Sequence, residues 1–312
     1  MSWLYDTVDL VTFGINPGQI TGNIALQGCF DFPERIGATC YEWGDEAGVE
    51  PYVEDDELFY AGRDINFQAS IFGSRPSILV NLQSLYSLVN SAASGTRVFS
   101  TPYGDFNVYS KNITPAHTRL ACTLTWGFRE PVINLTGGSI QAAGASAYQI
   151  DGVPMTSYGL YVSSLADLLE LPELKDQHFT AFEVEGFQLT KRKANKLSID
   201  GLIIGTSLAA FQTHIRNLFA LYSASGTRQI NINNELLITC FPEHGFKVDT
   251  IYVGSFVIAK FKSDLTVGSG RRPTGRSKAP KTTRPKKHGA MGGAAYAARI
   301  KRLEKIWKHV TH

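Results

Sequence analysis

The sharpest chemical signal in this sequence is "GRRPTGRS", Gly270 to Ser277, which follows the phosphate-cradling spacing G-x-x-x-x-G-K-[ST] except that Arg276 stands in the lysine's place. Such a loop works between a buried strand and a helix, whose backbone N–H groups converge on the phosphate. Here the chain continues "KAPKTTRP", which cannot open a helix, so the segment reads as a chance match. The acidic run Glu54 to Glu57 offers the oxygen ligands a hard cation takes. It lacks the glycine turn and spacing of a calcium loop, and a solvated charge run is the preferred reading. The histidines His117, His178, His214, His244, His288, His309 and His312 are scattered without ligand spacing, and His214 reads as a boundary side chain of a helix. Cys29, Cys40, Cys122 and Cys240 lack any C-x-x-C pair and read as free thiols of a reducing compartment. Ser207 in "GTSLA" does not complete a nucleophile elbow. Trp43 and Trp126 could stack on a sugar or a base, but Trp126 falls in an alternating strand and reads as core. With no nucleophile, base or metal set to assemble, the expectation is a protein without catalytic, cofactor-binding or metal residues and without a cofactor.

What the sequence does say twice is structural. "SAASGTR", ending at Arg97, returns as "SASGTR", ending at Arg228. Upstream, "DINFQASIFGS" from Asp64 and "KLSIDGLIIGT" from Lys196 place Ile65, Phe67, Ala69, Ile71 and Gly73 on Leu197, Ile199, Gly201, Ile203 and Gly205. That alternation is the period of a half-buried strand. After each glycine comes helical spacing, with Leu82, Leu85, Tyr86, Leu88 and Val89 answered by Ile215, Leu218, Phe219, Leu221 and Tyr222, an apolar stripe on a short amphipathic helix. Gly95 and Gly226 are expected to take the left-handed conformation that ends helices. Further upstream "FGI" at Phe13 is echoed by "YGL" at Tyr158. The first copy is longer between that glycine and the strand glycine, a surplus placed in "YVEDDELFY". Downstream, Leu120, Cys122, Leu124, Trp126 and Phe128 should share one strand face, with "TIYVGSFVIAKF" from Thr250 in the equivalent place. A period of domain size argues for a duplicated domain rather than a solenoid.

Charge divides the chain further. Of its 30 Lys and Arg and 28 Asp and Glu, 13 basic residues and one acid lie from Gly268 onward. The body, with 17 basic and 27 acidic residues, is near −10 and the tail near +12. The predicted organisation is a first domain over 1–131, a linker over 132–147, a second domain over 148–267, a disordered basic linker over 268–292 and an amphipathic helix over 293–312. In that helix Tyr296, Ile300, Leu303, Ile306, Trp307 and Val310 form an apolar stripe flanked by Arg and Lys, suited to docking on a partner. No apolar run is long enough to span a bilayer and no signal peptide opens the chain, so the protein is expected in solution.

A β-rich domain with one helix, in tandem and without catalytic constellations, resembles the tail-tube fold of long-tailed bacteriophages, and more narrowly the distal tail protein family. The residues that carry the likeness are "QIDGVPMTSYGLYV", Gln149 to Val162, then "KLSIDGLIIGT", the helix and "SGTR". It covers most of 148–267 and, through the repeat, 5–130. The resemblance implies mainly β domains of split-barrel or sandwich type with a flanking helix, packed into a ring that joins the tail tube to the host-contacting tip. It implies other phage tail proteins as partners and a place in the virion tail after assembly in the host cytoplasm. Two tube-like copies and a basic tail depart from the usual member, which leaves tube subunit, distal ring and tip ring open.

A ring of six positions closes from three tandem pairs as well as from six single domains. A trimeric pseudo-hexamer is therefore expected, with a hexamer as the alternative. Gly73, Gly95, Arg97, Gly205, Gly226 and Arg228 are the candidate repeat and assembly residues, the arginines capping helix carbonyls or pairing with a neighbour's carboxylate. Two other classes stay open: a nucleic-acid-binding protein whose basic arm contacts polyanions without sequence readout, and a carbohydrate-binding β-sandwich.

Overall fold

The two alternating runs form the central strands of two sheets. The structure, a computed structural model, describes residues 2–20, 22–42, 47–91, 95–118, 120–166, 170–181 and 184–268. In chain order the first half carries β1 (Leu4–Tyr5), β2 (Val8–Asp9), β3 (Ile15–Pro17), β4 (Leu26–Gln27), β5 (Cys40–Tyr41), β6 (Glu50–Pro51), β7 (Arg63–Phe72), helix α1 (Arg75–Asn90), β8 (Arg97–Thr101), β9 (Gly104–His117) and β10 (Ala121–Glu130). The second half carries β11 (Tyr148–Ile150), β12 (Val153–Pro154), β13 (Leu160–Ala166), β14 (Leu174–Ala181), β15 (Val184–Arg192), β16 (Lys196–Gly205), helix α2 (Leu208–Ser223), β17 (Arg228–Ile232), β18 (Leu236–Phe241), β19 (Phe246–Val253) and β20 (Val257–Val267). The described residues are thus mainly β, with two α-helices and two large antiparallel sheets.

The sheets share one strand order. The first runs β2-β1-β8-β9-β10-β7-β3 and the second β12-β11-β17-β18-β20-β16-β13, so the seven strands of one path match those of the other in order, while β4 on β7 and β19 on β20 lie off it. Ile65, Phe67, Ala69 and Ile71 are fully buried, as are Leu197, Ile199 and Ile203. The alternation read from the sequence therefore puts these residues on the core face. Each helix begins after a serine. Ser207 Oγ accepts the Ala210 N–H at 3.1 Å, the ordinary N-cap bond, and Pro76 occupies the first turn of α1, where its missing N–H costs nothing.

The "FGI" and "YGL" echo has a physical cause. Short 3-10 turns, Leu10–Phe13 and Met155–Tyr158, end on Gly14 at φ +66° and Gly159 at φ +68°. A Cβ at these positions would lie 2.9 Å from Asn81 Nδ2 on α1 and 2.6 Å from His214 Cδ2 on α2. Glycine is needed there for both its left-handed backbone and its lack of a side chain. His214 is a packing residue beside that turn, and burial holds its pKa below the usual histidine value.

Four expectations are corrected. Thr250–Val253 belongs to β19, and the counterpart of β10 is β20, which starts at Val257 after a turn over Gly254–Phe256. Leu120 lies exposed at the β9–β10 turn, outside the buried face of Cys122, Leu124, Trp126 and Phe128. Gly226 is left-handed at φ +86°, but α2 ends at Ser223 with an extended Ala224 as its C-cap, two residues before the glycine, so this glycine shapes the loop into β17 rather than the helix cap. The surplus of the first copy is spread over residues 18–62, and the acidic run contributes only the 3-10 turn Asp55–Glu57.

The two halves share one hydrophobic core, which contains residues of both sheets and both helices, and Met1–Gly270 clusters as one unit. The segment 132–147 lies along α2, with the Ser139 N–H donating to Asn217 Oδ1 at 3.0 Å and the Gln141 N–H to Tyr158 Oη at 3.3 Å. No described helix is long and apolar enough to cross a membrane. "GRRPTGRS", the basic linker from 269, the stripe of Tyr296, Ile300, Leu303, Ile306, Trp307 and Val310, and Trp43 lie outside the described residues.

Candidate functional site

The repeated arginine opens a strand in each copy and does the same work twice. Arg228 Nη1 donates to Asp151 Oδ2 at 2.9 Å, while Nη2 donates to the Ala224 and Ser225 carbonyls at the end of α2. Arg97 Nη1 lies 2.8 Å from Asp6 Oδ2 and 3.5 Å from the Leu88 carbonyl of α1. Its guanidinium also sits over the Tyr5 ring at 5.8 Å. Each arginine thus reaches helix carbonyls and, beside them, a carboxylate of its own copy rather than of a neighbour.

That partner went unread in the sequence, although its signal was there. Asp6 and Asp151 each occupy the first central position of a two-residue hairpin turn, β1–β2 and β11–β12, with both central φ values positive: +52° and +70° at Asp6 and Thr7, +52° and +77° at Asp151 and Gly152. Turns of this kind match strand twist and favour Asp-Gly. "YDTV" and "IDGV" stand the same distance before "FGI" and "YGL", so the aspartates align without a gap. In each copy the ion pair ties the hairpin to the C-terminal end of the helix, where a cation meets the exposed carbonyls favourably.

A second arrangement is the seam between the copies. The segment from Gly22 to Thr39 of the first copy reaches the second at several points, although Leu26 and Gln27 within it pair with β7 of their own copy. The Asn23 side chain bridges to Val253 through its N–H and carbonyl at 2.6 and 2.8 Å. Phe32 pairs its backbone with Phe246 at 2.9 and 3.2 Å, and its ring packs among Phe246, Phe219, Tyr222 and Tyr60. Asp31 Oδ1 accepts the Val248 N–H at 2.7 Å; burial pushes this carboxyl's pKa up, opposed by that bond and by Arg63. The strand break between β18 and β19 exists where this segment lands. Gly245 there has φ +69°, and a Cβ on it would meet the Phe32 carbonyl at 2.2 Å.

Helix α2 is held between the copies. Gln212 Nε2 donates to the Tyr103 carbonyl at the tip of the β8–β9 hairpin at 2.9 Å, and Phe211 meets Phe30 edge-on at 5.3 Å. The buried pair Arg63–Glu130, at 2.6 Å, places its guanidinium over Phe106 and Phe219 at 5.5 and 5.7 Å. A cleft of about 330 Å³ remains along this seam, between Tyr103, Glu130 and Arg216. Cys29 lines it, and burial pushes this thiol up to about 12, which makes it an inert one.

The residues flagged for chemistry have structural work. Glu54 and Glu57 form a reciprocal capping box around the acidic turn; three carboxylates lie close there, as exposed acidic groups commonly do. Trp126 is fully buried, its Nε1 donating to Ser110 Oγ at 2.8 Å. All four cysteines are free thiols. Gly73 joins β7 to α1 at φ +145°, and Gly205 admits α2, since a Cβ there would meet the Phe211 nitrogen at 2.6 Å. Gly95 leads into β8.

No protein-family model matches the sequence, and no curated protein matches it. Among solved structures, the chain is similar to the SPP1 Dit (gp 19.1) protein, described as a paradigm of the hub adsorption apparatus in phages infecting Gram-positive hosts. The likeness has 12% identity and a TM-score of 0.33, and covers 86% of this chain and 98% of that one.

Proposed function

We propose that this chain is a structural ring component of a bacteriophage tail, of the distal tail or tail-tip kind, joining the tail tube to the host-contacting tip. The observation that supports it best is the tandem repetition of one strand order, with the second copy's helix seated on the first copy: a head-to-tail contact between like units, which closes into a ring when the rotation allows. In this reading 1–131 and 148–267 are two tube-like split-barrel domains, and 132–147 is the strap between them. Three chains make a pseudo-hexamer, and the glycines and arginines of the repeat preserve the unit rather than touch a ligand. The tail from 268 acts as a tether, its stripe from Tyr296 to Val310 docking on the next tail protein. The purified chain should appear in negative stain as rings and have the mass of three chains in solution. A monomer at every concentration reached would overturn the ring reading.

The separated charge supports one further role, contact of the basic tail with polyanions. Such binding should fall steeply with salt and vanish on deletion of 269–312, while rings persist. Loss of the rings on that deletion would contradict the assignment of ring formation to the folded body.

A further inference from the structure

The seam inside the chain makes a statement about the outside of the chain. The N-cap serines Ser74 and Ser207 set the two helices in one register, so the fifth residue after each cap is Leu79 on α1 and Gln212 on α2. Gln212 touches the tip of the first copy's β8–β9 hairpin. Further along the same face Phe219 is buried against Phe32, whereas its counterpart Tyr86 is only half-buried. In all, α2 buries seven residues and α1 three, because the first copy covers α2 and no described residue does the same for α1. Leu79 is left 45% exposed.

The covering surface also has a counterpart. Pairing of Thr101 with Gly104 in the first sheet and of Ile232 with Leu236 in the second matches the β8–β9 tip to the β17–β18 tip. There Leu236 stands where the first copy has Gly104, and it is 43% exposed. In place of the polar contact inside the chain, Gln212 on the Tyr103 carbonyl, the corresponding elements carry two exposed leucines: Leu79 at Gln212's position on α1, and Leu236 at the position of Gly104, next to the residue that matches Tyr103.

We propose that α1, centred on Leu79, is the docking face for the β17–β18 hairpin, centred on Leu236, of a second copy of this chain. This repeats between chains the contact that α2 and the β8–β9 hairpin make within one. The occupant is a second copy because the chain itself displays the matching pair of elements already engaged, and because both members of the free pair carry exposed apolar side chains of the kind that interfaces bury at their centres. The contact is heterologous, so each chain uses both faces and the assembly grows until it closes. The proposal rests on the ring reading above and adds the surfaces to it.

The test uses the full chain and two variants, Leu79→Glu and Leu236→Glu, each at an exposed position, with circular dichroism spectra matching the parent as the check of folding. Each alone should raise the concentration needed for assembly by at least about 30-fold, the equivalent of the 2 kcal/mol that marks an interface hot spot. Mixed in equal amounts they should form a dimer and nothing larger, because one intact hairpin then meets one intact α1 face and the two remaining faces are blocked. Rings that persist in both variants would overturn these surfaces while leaving the ring reading standing. Failure of the parent chain itself to assemble would overturn both. If Leu79→Glu and deletion of 269–312 both abolish assembly while Leu236→Glu assembles normally, the tail is the occupant of α1 and the proposal falls.

Discussion

The two copies agree in their strands and differ where they touch one another. Ile65 to Ile71 and Leu197 to Ile203 run through equivalent central strands, yet β9 is one strand of 14 residues where the second copy breaks into β18 and β19. The break receives Phe32 and its neighbours from the first copy. Likewise α1 and α2 start after equivalent serines and bury different numbers of residues. A repeated sequence pattern thus specifies a unit's own core, and the departures from the pattern mark where one unit has become the other's surroundings.

Replacement of equivalent aromatic residues should break this comparison most visibly. Phe219→Ala removes a ring packed against Phe32 and Phe246 and under the Arg63 guanidinium, and should cost about 3–5 kcal/mol in urea unfolding. Tyr86→Ala, at the matching position of the half-open helix, should cost about 1 kcal/mol in the unassembled protein. Equal costs would show that the seam does not distinguish the helices.

The repeated arginine sharpens the comparison. Arg228 is nearly buried, and Asp151 is 26% exposed, so Arg228→Ala leaves two helix-end carbonyls without their donor and the Asp151 carboxylate with only the Gln229 N–H. A loss of about 2–3 kcal/mol is expected. Arg97 faces an Asp6 that is 49% exposed, and water can take over its role; Arg97→Ala should cost about 0.5–1 kcal/mol. The check is the difference in denaturation midpoint between the two variants, and a larger effect at Arg97 would contradict the burial argument.

How much of this was legible depended on periodicity. The strand runs from Asp64 and Lys196 and both helix stripes follow from spacing of 2 and 3.6, whereas periodicity leaves open which strands pair. The split of β9's counterpart was visible in principle, as "FPEHG" carries Pro242 and Gly245, and the β19–β20 turn was marked by Gly254-Ser255. The second is hidden because Thr250 to Phe261 looks continuous when the apolar residues alone are counted. The stitching segment from Asn23 to Thr39 has no period at all. Phe30 and Phe32 are anchors whose partners lie about 200 residues away, and nothing local distinguishes such a phenylalanine from one buried in its own copy. The Asp6 and Asp151 partners were legible only as turn chemistry, one step after the arginines had been noticed.

A further effect concerns acid, and it tests the seam at the break itself. Glu243 sits between β18 and β19; its carbonyl accepts the Arg35 N–H at 2.9 Å, and its carboxylate accepts the Thr39 hydroxyl from the first copy and the Thr266 hydroxyl at 2.7 Å. Burial alone would raise its pKa, but those two hydroxyls, with His244 and Arg35, hold it below the usual glutamate value. A depressed folded value means that the group's contribution is whole above the unfolded pKa of about 4.3 and is lost as the pH falls through the folded one. Nothing on the unbroken β9 supplies the same contact, so this acid sensitivity belongs to the second copy's junction with the first. Glu243→Gln, which cannot titrate, should be less stable than the parent by about 1 kcal/mol near neutral pH. The gap in Tm should close as the pH drops below the glutamate range, because the parent then loses what the variant lacks at every pH. Melting curves that stay parallel down to the acid limit would show that the carboxylate does not hold the two copies together.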